Sequence, residues 1–428
     1  MRSRETNMRF HLLAALALPV MLSAEDLHWF KGNTHTHSLW SDGNDFPDMI
    51  SAWYQEQGYD FLGMSDHNTL AAGERWVKES VIEKKKIALG PKVLDKYRQR
   101  FGDSWVETRT DKDGQTEVRL KTLEEYRKKL EVPGKFLLVQ AEEISAGFGK
   151  SPIHINAINL SEVIPATKDL VSIRETIRAN LKAVAEQAVK SGHPIMAHIN
   201  HPNFKWALTA DDLAHVIEDR FFEIYNGHPG VYNDGDPARA DSSHERIWDI
   251  ANAIRIAELK QPPLFGMGTD DSHNYHGGTV TPGRGWVMVR AARLDPDKLV
   301  EAMQRGDFYA STGVTLDDVH FDKSTRSLRL KIHGQPGARY RTEFRGTLKN
   351  YDRAVKEVAA PADDPQPVRL QHGDDIGKLL ASSDSLEPAY TLTGDELYVR
   401  AIIISDQVMT NPALPGQVQK AWSQPVGW

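Results

Sequence analysis

The sequence predicts an α/β chain, a TIM-like β/α barrel followed by a smaller all-β region, and three observations carry that fold class. From residue 27 to about 313, short apolar runs alternate with amphipathic helical stretches, the rhythm of a parallel sheet long enough to close into a barrel. Residues with metal-binding chemistry fall mostly just after those runs, at strand carboxyl ends, where barrels carry their sites. Beyond about residue 315 the helical rhythm stops, and short alternating runs set off by Gly, Pro and Asp replace it.

Residues 27–33 read as the first strand. Residues 47–57 read as a helix with Met49, Ile50, Trp53 and Tyr54 on one face and Gly58 as its stop. The next strand, 60–65, ends at Asp66-His67-Asn68. Residues 74–131 interrupt the rhythm with 16 Lys and Arg against 12 Asp and Glu, an excess of four positive charges, and read as a mostly helical insertion over one end of the barrel. That excess predicts a gate favouring anionic substrates. Strands resume at 136–141, ending at Glu142-Glu143, and at 153–159, which His154 begins. A long helix follows, striped by Ile173, Ile177, Leu181, Val184 and Ala188 and opened by a capping box from Ser172 to Glu175. Strands at 194–200, 221–225 and 264–269 end at His201-Pro202, Asn226 and Asp270-Asp271-Ser272-His273. A strand at 286–289 and a helix opened by Asp295-Pro296 complete the series. Runs at 328–332, 338–344 and 396–404 read as an antiparallel, sandwich-like accessory domain over 314–428.

The net charge of −7 gives no basis for nucleic-acid binding through a basic surface. With no cysteine there are no disulfides and no thiolate metal sites, so any metal falls to Asp, Glu and the 17 histidines. Residues 1–24 read as an export signal: Arg9, an apolar run over 10–22 broken by His11, then Ser23-Ala24 before Glu25-Asp26. The expected location is periplasmic or secreted. No apolar run is long enough to span a bilayer.

His35 and His37, one residue apart in extended backbone, point the same way, a geometry suited to a divalent ion, and Asp42 adds a hard oxygen ligand. The H-T-H and S-D-G of this stretch are followed by S-D-H-N, E-E-I-S, H-I-N, N-H-P-N and D-D-S-H. This ordered set resembles the PHP family, named for polymerase and histidinol phosphatase, over residues 27–313, including the closing Gly306-Asp307-Phe308-Tyr309-Ala310-Ser311-Thr312-Gly313.

The resemblance implies a distorted seven-stranded β/α barrel with two or three divalent ions (zinc, manganese or iron) at its mouth. It implies that His35, His37, Glu143 and Asp271 hold one ion, that Glu143 bridges to a second held by His154 and by His201 or His198, and that Asp42, His67 and His273 hold a third. Asp66 is expected beside His67 as its hydrogen-bond partner. Of the two histidines, three apart on one strand, only one can face the site; the proline after His201 favours it, leaving His198 deeper on a ligand carboxylate, while the reverse order remains open. The doublets Glu142-Glu143 and Asp270-Asp271 are resolved in favour of the second member, which fits the spacing of the family. Glu143, Asp271, His201, Arg284 and Asp66 are the expected catalytic residues, with Asn226, His228, Arg284 and His198 expected at the substrate; Arg284 would clamp an anion. The implied activity is hydrolysis of a small phosphorylated substrate. The alternatives are amide, carbamate or ester hydrolysis by the same centre, and a metal-stabilised protein without activity. A proofreading nuclease would need a polymerase partner or a basic groove, neither of which the sequence shows. Oligomeric state is left open.

Overall fold

The computed structural model describes residues 26–428, so the expected export signal lies outside it. The chain enters on β1 (His28–Asn33), exposed at its start and buried at its end, and passes through the H-T-H loop into α1 (Pro47–Glu56). Proline opens this helix without loss, because a first-turn N–H has no helical partner. After the buried β2 (Phe61–Met64) comes the charged insertion.

It is only partly helical, which corrects the sequence expectation. β3 (Trp76–Lys78), α2 (Glu79–Lys85) and α3 (Val93–Phe101) lead into a hairpin of β4 (Thr108–Thr110) and β5 (Thr116–Arg119), and the three strands form a small antiparallel sheet before α4 (Leu123–Leu130). The hairpin is set by Asp111, whose carboxylate accepts the N–H groups of Asp113 and Gln115, and by Gly114 at φ +77°. These strands are short and charged, so alternation does not announce them.

A second correction shapes the site. β6 (Leu137–Phe148) does not stop before Glu142-Glu143 but runs through them, and turns at Gly149 into β7 (Ser151–Ile158). No helix separates the two, so they pair antiparallel. Glu143 therefore lies opposite Asn156, and His154 opposite Ser145, in the middle of a ladder. The remaining elements are α5 (Ile173–Ser191), capped by the Ser172 hydroxyl, β8 (Met196–Ile199), α6 (Ala210–His215), β9 (Phe221–Asn226), α7 (His244–Ala257), β10 (Phe265–Thr269), β11 (Trp286–Ala291), α8 (Pro296–Arg305) and β12 (Phe308–Ser311). Among the described residues no helix is long and apolar enough to cross a membrane.

β1, β2 and β6 run parallel, as do β8, β9 and β10, with β7 antiparallel between the two groups. The sheet is thus mixed, not the uniformly parallel one expected. Its loose end returns to its start: beyond β10, Asp271 N donates to His35 O (2.9 Å) and His37 N to Ser272 O (2.9 Å), with a parallel bridge between Thr36 and Ser272.

The C-terminal strands are β13 (Leu316–Asp322), β14 (Ser327–Ile332), β15 (Tyr340–Leu348), β16 (Val355–Ala359), β17 (Val368–His372), β18 (Lys378–Ser383), β19 (Ala389–Thr391), β20 (Glu396–Val408) and β21 (Val418–Ser423). This all-β region is not separate in its hydrogen bonding. β21 pairs with β12, so one ladder runs from β10 through β1, β11 and β12 into β21, β20, β15 and β18. The sheet of β13, β14 and β19 shares a core with it through Leu316, Leu330, Phe344, Val399 and Ile403.

One buried ion pair ties this region to the helix layer. Arg400 on β20 is fully buried and grips Asp249 on α7 in bidentate fashion (2.8 and 2.6 Å), while Tyr398 also donates to that carboxylate (2.7 Å). Removing one partner leaves the other charged and buried, so Arg400→Ala should cost about 3–5 kcal/mol in urea unfolding. A loss below about 1 kcal/mol would show that the pair is not what joins the two regions.

Candidate metal centre

Six histidines and three carboxylates converge where β1, β2, β6, β7, β8 and β10 end or cross. His35 and His37 follow β1, and the two-residue period of extended chain puts both rings on one side. The carboxylate of Glu143 divides between two groups. Its Oε1 lies 3.3 Å from His35 Nε2, 3.0 Å from His154 Nδ1 and 3.5 Å from His201 Nε2; its Oε2 lies 3.5 Å from His37 Nε2 and 2.7 Å from His67 Nδ1. Asp271 Oδ1 stands 3.3 Å from both His35 Nε2 and His37 Nε2. On the outer side Asp42 faces His37 Nδ1 (3.7 Å), His67 Nε2 (3.5 Å) and His273 Nε2 (3.4 Å).

This arrangement fits divalent cations. His35 Nε2, both nitrogens of His37 and His154 Nδ1 are buried without a hydrogen-bond partner among the described residues, an expensive condition unless something else fills their lone pairs. Two ligands bound at about 2.05 Å with a tetrahedral angle between them stand roughly 3.3 Å apart, which matches these separations. Four sets of three or four ligand atoms are close enough to share an ion: His37, Asp42, His67 and His273; His35, His201 and Asp271; His35, His37 and Glu143; His67, Glu143 and His154. The donors are all nitrogen and oxygen, a set that suits zinc, manganese or iron.

The electrostatics agree. Burial opposes ionisation of Glu143, yet the imidazoles of His154, His67 and His35 hold it well below the usual carboxylate range. Asp271 is likewise buried and held well down by His35 and His37. Burial depresses His37 to about 3, so this ring is neutral and free to ligate. His67, despite burial, is pushed up to about 11 by Glu143 and Asp42. A cation bound among these groups takes the place of such protons.

Behind the ligands stands a layer that the sequence reading missed in part. Glu223, fully buried on β9, accepts from His35 Nδ1 (2.7 Å), Thr269 Oγ1 (2.8 Å) and the backbone N–H of His201 (2.8 Å). It fixes the His35 tautomer, leaving Nε2 to face the centre. A lone carboxylate inside the apolar run 221–225 was the available signal. Asn200 donates to Glu143 Oε1 (2.8 Å) and to Asn156 Oδ1 (2.9 Å). Asn226, expected at the substrate, instead joins Glu223 Oε2 (2.8 Å) to Asp271 Oδ2 (3.1 Å). His201 and Asp271 have φ of 24° and 49°, strained values for non-glycine residues that these bonds maintain.

Strand alternation within β6 separates Glu142 from Glu143, and the left-handed backbone at Asp271 (φ 49°), just beyond β10, separates Asp270 from Asp271. Glu142 points away and accepts from Ile164 N, burial pushing it up to about 7. Asp270 turns to the N–H groups of Gly283, Arg284 and Gly285 and to the Tyr54 hydroxyl.

Three further expectations require correction. Arg284 does not face the centre: it is buried, with its guanidinium donating to Gly227 O (2.7 Å), because Asp270 draws its turn inward. Asp66 does not hold His67; its carboxylate accepts from Ser38 N (2.8 Å), Ser38 Oγ (2.6 Å) and Ser41 Oγ (2.5 Å), and so shapes the loop that carries Asp42. His198 is fully buried beneath the centre, against Thr34 Oγ1 (3.2 Å) and 3.9 Å from Glu223 Oε1, so it reaches neither substrate nor a carboxylate of the cluster. His228 is half-buried at the edge, its ring 5.9 Å from that of His273.

The insertion also braces the centre. Its cations are largely spent on its own carboxylates, as in Arg119 with Glu107 and Glu125, Lys121 with Glu107, and Lys92 with Glu79. What it offers the centre is support. Lys85 Nζ donates to Ser41 O and Gly43 O (both 3.1 Å), Arg75 donates to Trp40 O, and Trp40 Nε1 donates to Lys121 O (3.1 Å), which pins the Asp42 loop from outside. Gly43 is required there, because a Cβ would meet His37 O at 2.4 Å.

No family model and no curated protein matches the chain. Among solved structures, a two-domain protein containing a predicted PHP-like metal-dependent phosphoesterase from Bacteroides vulgatus ATCC 8482 overlaps 93% of this chain and 95% of its own, with a TM-score of 0.40 and 14% identity. A candidate metal-dependent phosphoesterase from Bifidobacterium adolescentis ATCC 15703 overlaps 57% of this chain and 88% of its own, with a TM-score of 0.31 and 13% identity.

Two measurements check the assignment of the centre. Glu223→Gln keeps the shape but removes the charge behind His35, and should weaken metal binding about 10–100-fold in a competitive chelator titration; unchanged affinity would remove Glu223 from the centre. His201→Ala should lose an ion by elemental analysis whereas His198→Ala keeps full occupancy, and the reverse would exchange their roles.

Proposed function

We propose that the chain is an exported metal-dependent phosphoesterase of PHP type, acting on a small phosphorylated molecule. The observation that carries this reading is the placement of Glu143, whose two oxygens face separate histidine groups as a carboxylate between two cations would. His35, His37, Glu143 and Asp271 would hold one ion, Glu143, His154 and His201 a second, and Asp42, His67 and His273 a third. On this reading β1, β2 and β6 to β10 form a distorted seven-stranded barrel over 25–313, a reading supported by the Thr36–Ser272 bridge, and 314–428 is the accessory domain. Export rests on residues 1–24.

Divalent ions in such a cluster supply Lewis acidity and charge neutralisation to a transferring phosphoryl group. The protein's own residues do the rest. Glu143, kept ionised, would serve two ions and Asp271 would complete the set around one of them; Asn200 and Asn226 orient those two carboxylates, and Glu223 orients His35. His228 accepts from Gly230 N at Nδ1 (2.8 Å), so in its neutral form the hydrogen sits on Nε2, as a donor for a substrate oxygen at the mouth. Burial lowers its pKa, which favours that form.

A second reading, hydrolysis of an ester or amide carbonyl, draws on one observation. Among the described residues no Lys or Arg pairs with Asp42, Glu143 or Asp271, and Arg284 is turned away, so the centre lacks the cationic side-chain clamp that phosphoryl sites often add. Protein loaded with zinc, manganese or iron and assayed on phosphomonoesters, phosphodiesters and activated amides separates the two. Phosphate ester turnover is expected, and Glu143→Gln should lower it more than about 100-fold, roughly 2.7 kcal/mol in barrier, with circular dichroism unchanged. Turnover confined to carbonyl substrates would favour the second reading, and activity within about tenfold of the parent would remove Glu143 as the bridge.

A further inference from the structure

We infer that a cleft beside the metal centre is a second subsite, which binds an anionic group on the organic portion of the ligand. The cleft, about 400 Å³, is lined by Lys150, Phe204, Lys205, Trp206, Tyr232 and Asp363 among others. It adjoins the centre directly, because the Phe204 ring is both a wall of the cleft and an edge-on neighbour of His201 (centroids 5.1 Å apart, 63°), with His228 at 6.0 Å.

The chain segments that deliver ligands also deliver the two lysines. Lys150 sits in the turn of the β6–β7 hairpin that carries Glu143 and His154. Lys205 follows His201 by four residues, and its ammonium lies 5.5 Å from the Phe204 ring centroid. Lys205 and Trp206 both have φ in the left-handed region (51° and 57°), a pair of strained non-glycine residues that persists only where surrounding contacts hold it. Those contacts are visible: Asn203 donates to Tyr232 O (2.7 Å), Arg369 to Trp206 O (3.0 Å), and Gln366 to Ala207 O (3.2 Å).

Charge gives the ligand class. The carboxylate in the cleft, Asp363, is taken by Arg239 (2.5 Å), which itself lies 4.3 Å over the Trp206 ring. Lys150 and Lys205 pair with no carboxylate among the described residues, so the cleft presents two positive charges free for a ligand. Tyr232, half exposed and stacked on Trp206 (4.8 Å, 16°), and Phe204 supply flat apolar walls for a carbon skeleton. Since Asp363, Gln366 and Arg369 belong to the β16–β17 region, the C-terminal strands build one wall of the subsite.

The inference deepens the proposed function and rests on the neighbouring centre binding a phosphoryl group. Its test does not depend on turnover. Metal-loaded protein is titrated calorimetrically with phenylphosphonate and 4-carboxyphenylphosphonate, neither of which can be hydrolysed. The carboxylate should bind about tenfold tighter, and the preference should fall to within about twofold in the Lys150→Gln, Lys205→Gln double variant. No preference in the parent, or a preference that survives both substitutions, would overturn the subsite. Turnover of the corresponding phosphate esters is scored separately: a lysine-dependent binding preference without turnover leaves the subsite standing and rejects the hydrolase.

Discussion

The buried carboxylate of Glu143 is the constraint on which the rest of the structure depends. It is almost wholly out of solvent in the middle of a β ladder, where an unpaired charge costs several kcal/mol, and five imidazoles face it. Protein groups alone satisfy this poorly. Asn200 donates one good hydrogen bond, while buried nitrogens of His35, His37 and His154 have none. Cations between the two sets would answer both deficits at once.

The surrounding elements make sense as supports for that arrangement. The β6–β7 hairpin puts Glu143 and His154 on adjacent strands, and the return of the sheet at Thr36 and Ser272 brings Asp271 against His35 and His37. Glu223 locks one ring and the backbone of another ligand. From outside, the insertion grips the loop of Asp42, and Asp66 ties the same loop to the end of β2. The C-terminal strands β21, β20, β15 and β18 continue the central sheet and are held to α7 by Arg400 and Asp249, while the separate β16–β17 hairpin that walls the ligand cleft is held by Arg369 on Trp206 O and by Arg246 on His372 O and Gly373 O.

Much of this was legible in the sequence where chemistry is local. The nine residues His35, His37, Asp42, His67, Glu143, His154, His201, Asp271 and His273 stand out as ligand types near the ends of apolar runs, and the structure brings them together. The choice of Glu143 over Glu142 and of Asp271 over Asp270 rests on the motif spacing of the family that the sequence resembles. What could not be read depends on neighbours far away in the chain. The antiparallel turn of β7 hinges on a hairpin with no helix to mark it, and the insertion's sheet on three short charged strands. Asp66, Arg284 and His198 were misplaced because their partners, Ser38 with Ser41, Gly227 and Thr34, are set by tertiary contacts. Glu223 looked like one polar residue in a buried strand until the ring of His35, 188 positions away, met it.

X-ray absorption fine structure on the metal-loaded parent protein tests the central claim most directly, since it reads the distance between ions without reference to any substrate. If Glu143 spans two cations, the spectrum should contain a metal–metal shell at about 3.5–4 Å beside nitrogen and oxygen ligands near 2.0–2.1 Å. A spectrum with imidazole and carboxylate ligands but no second metal at any loading would contradict the account, leaving Glu143 as a ligand to a single ion.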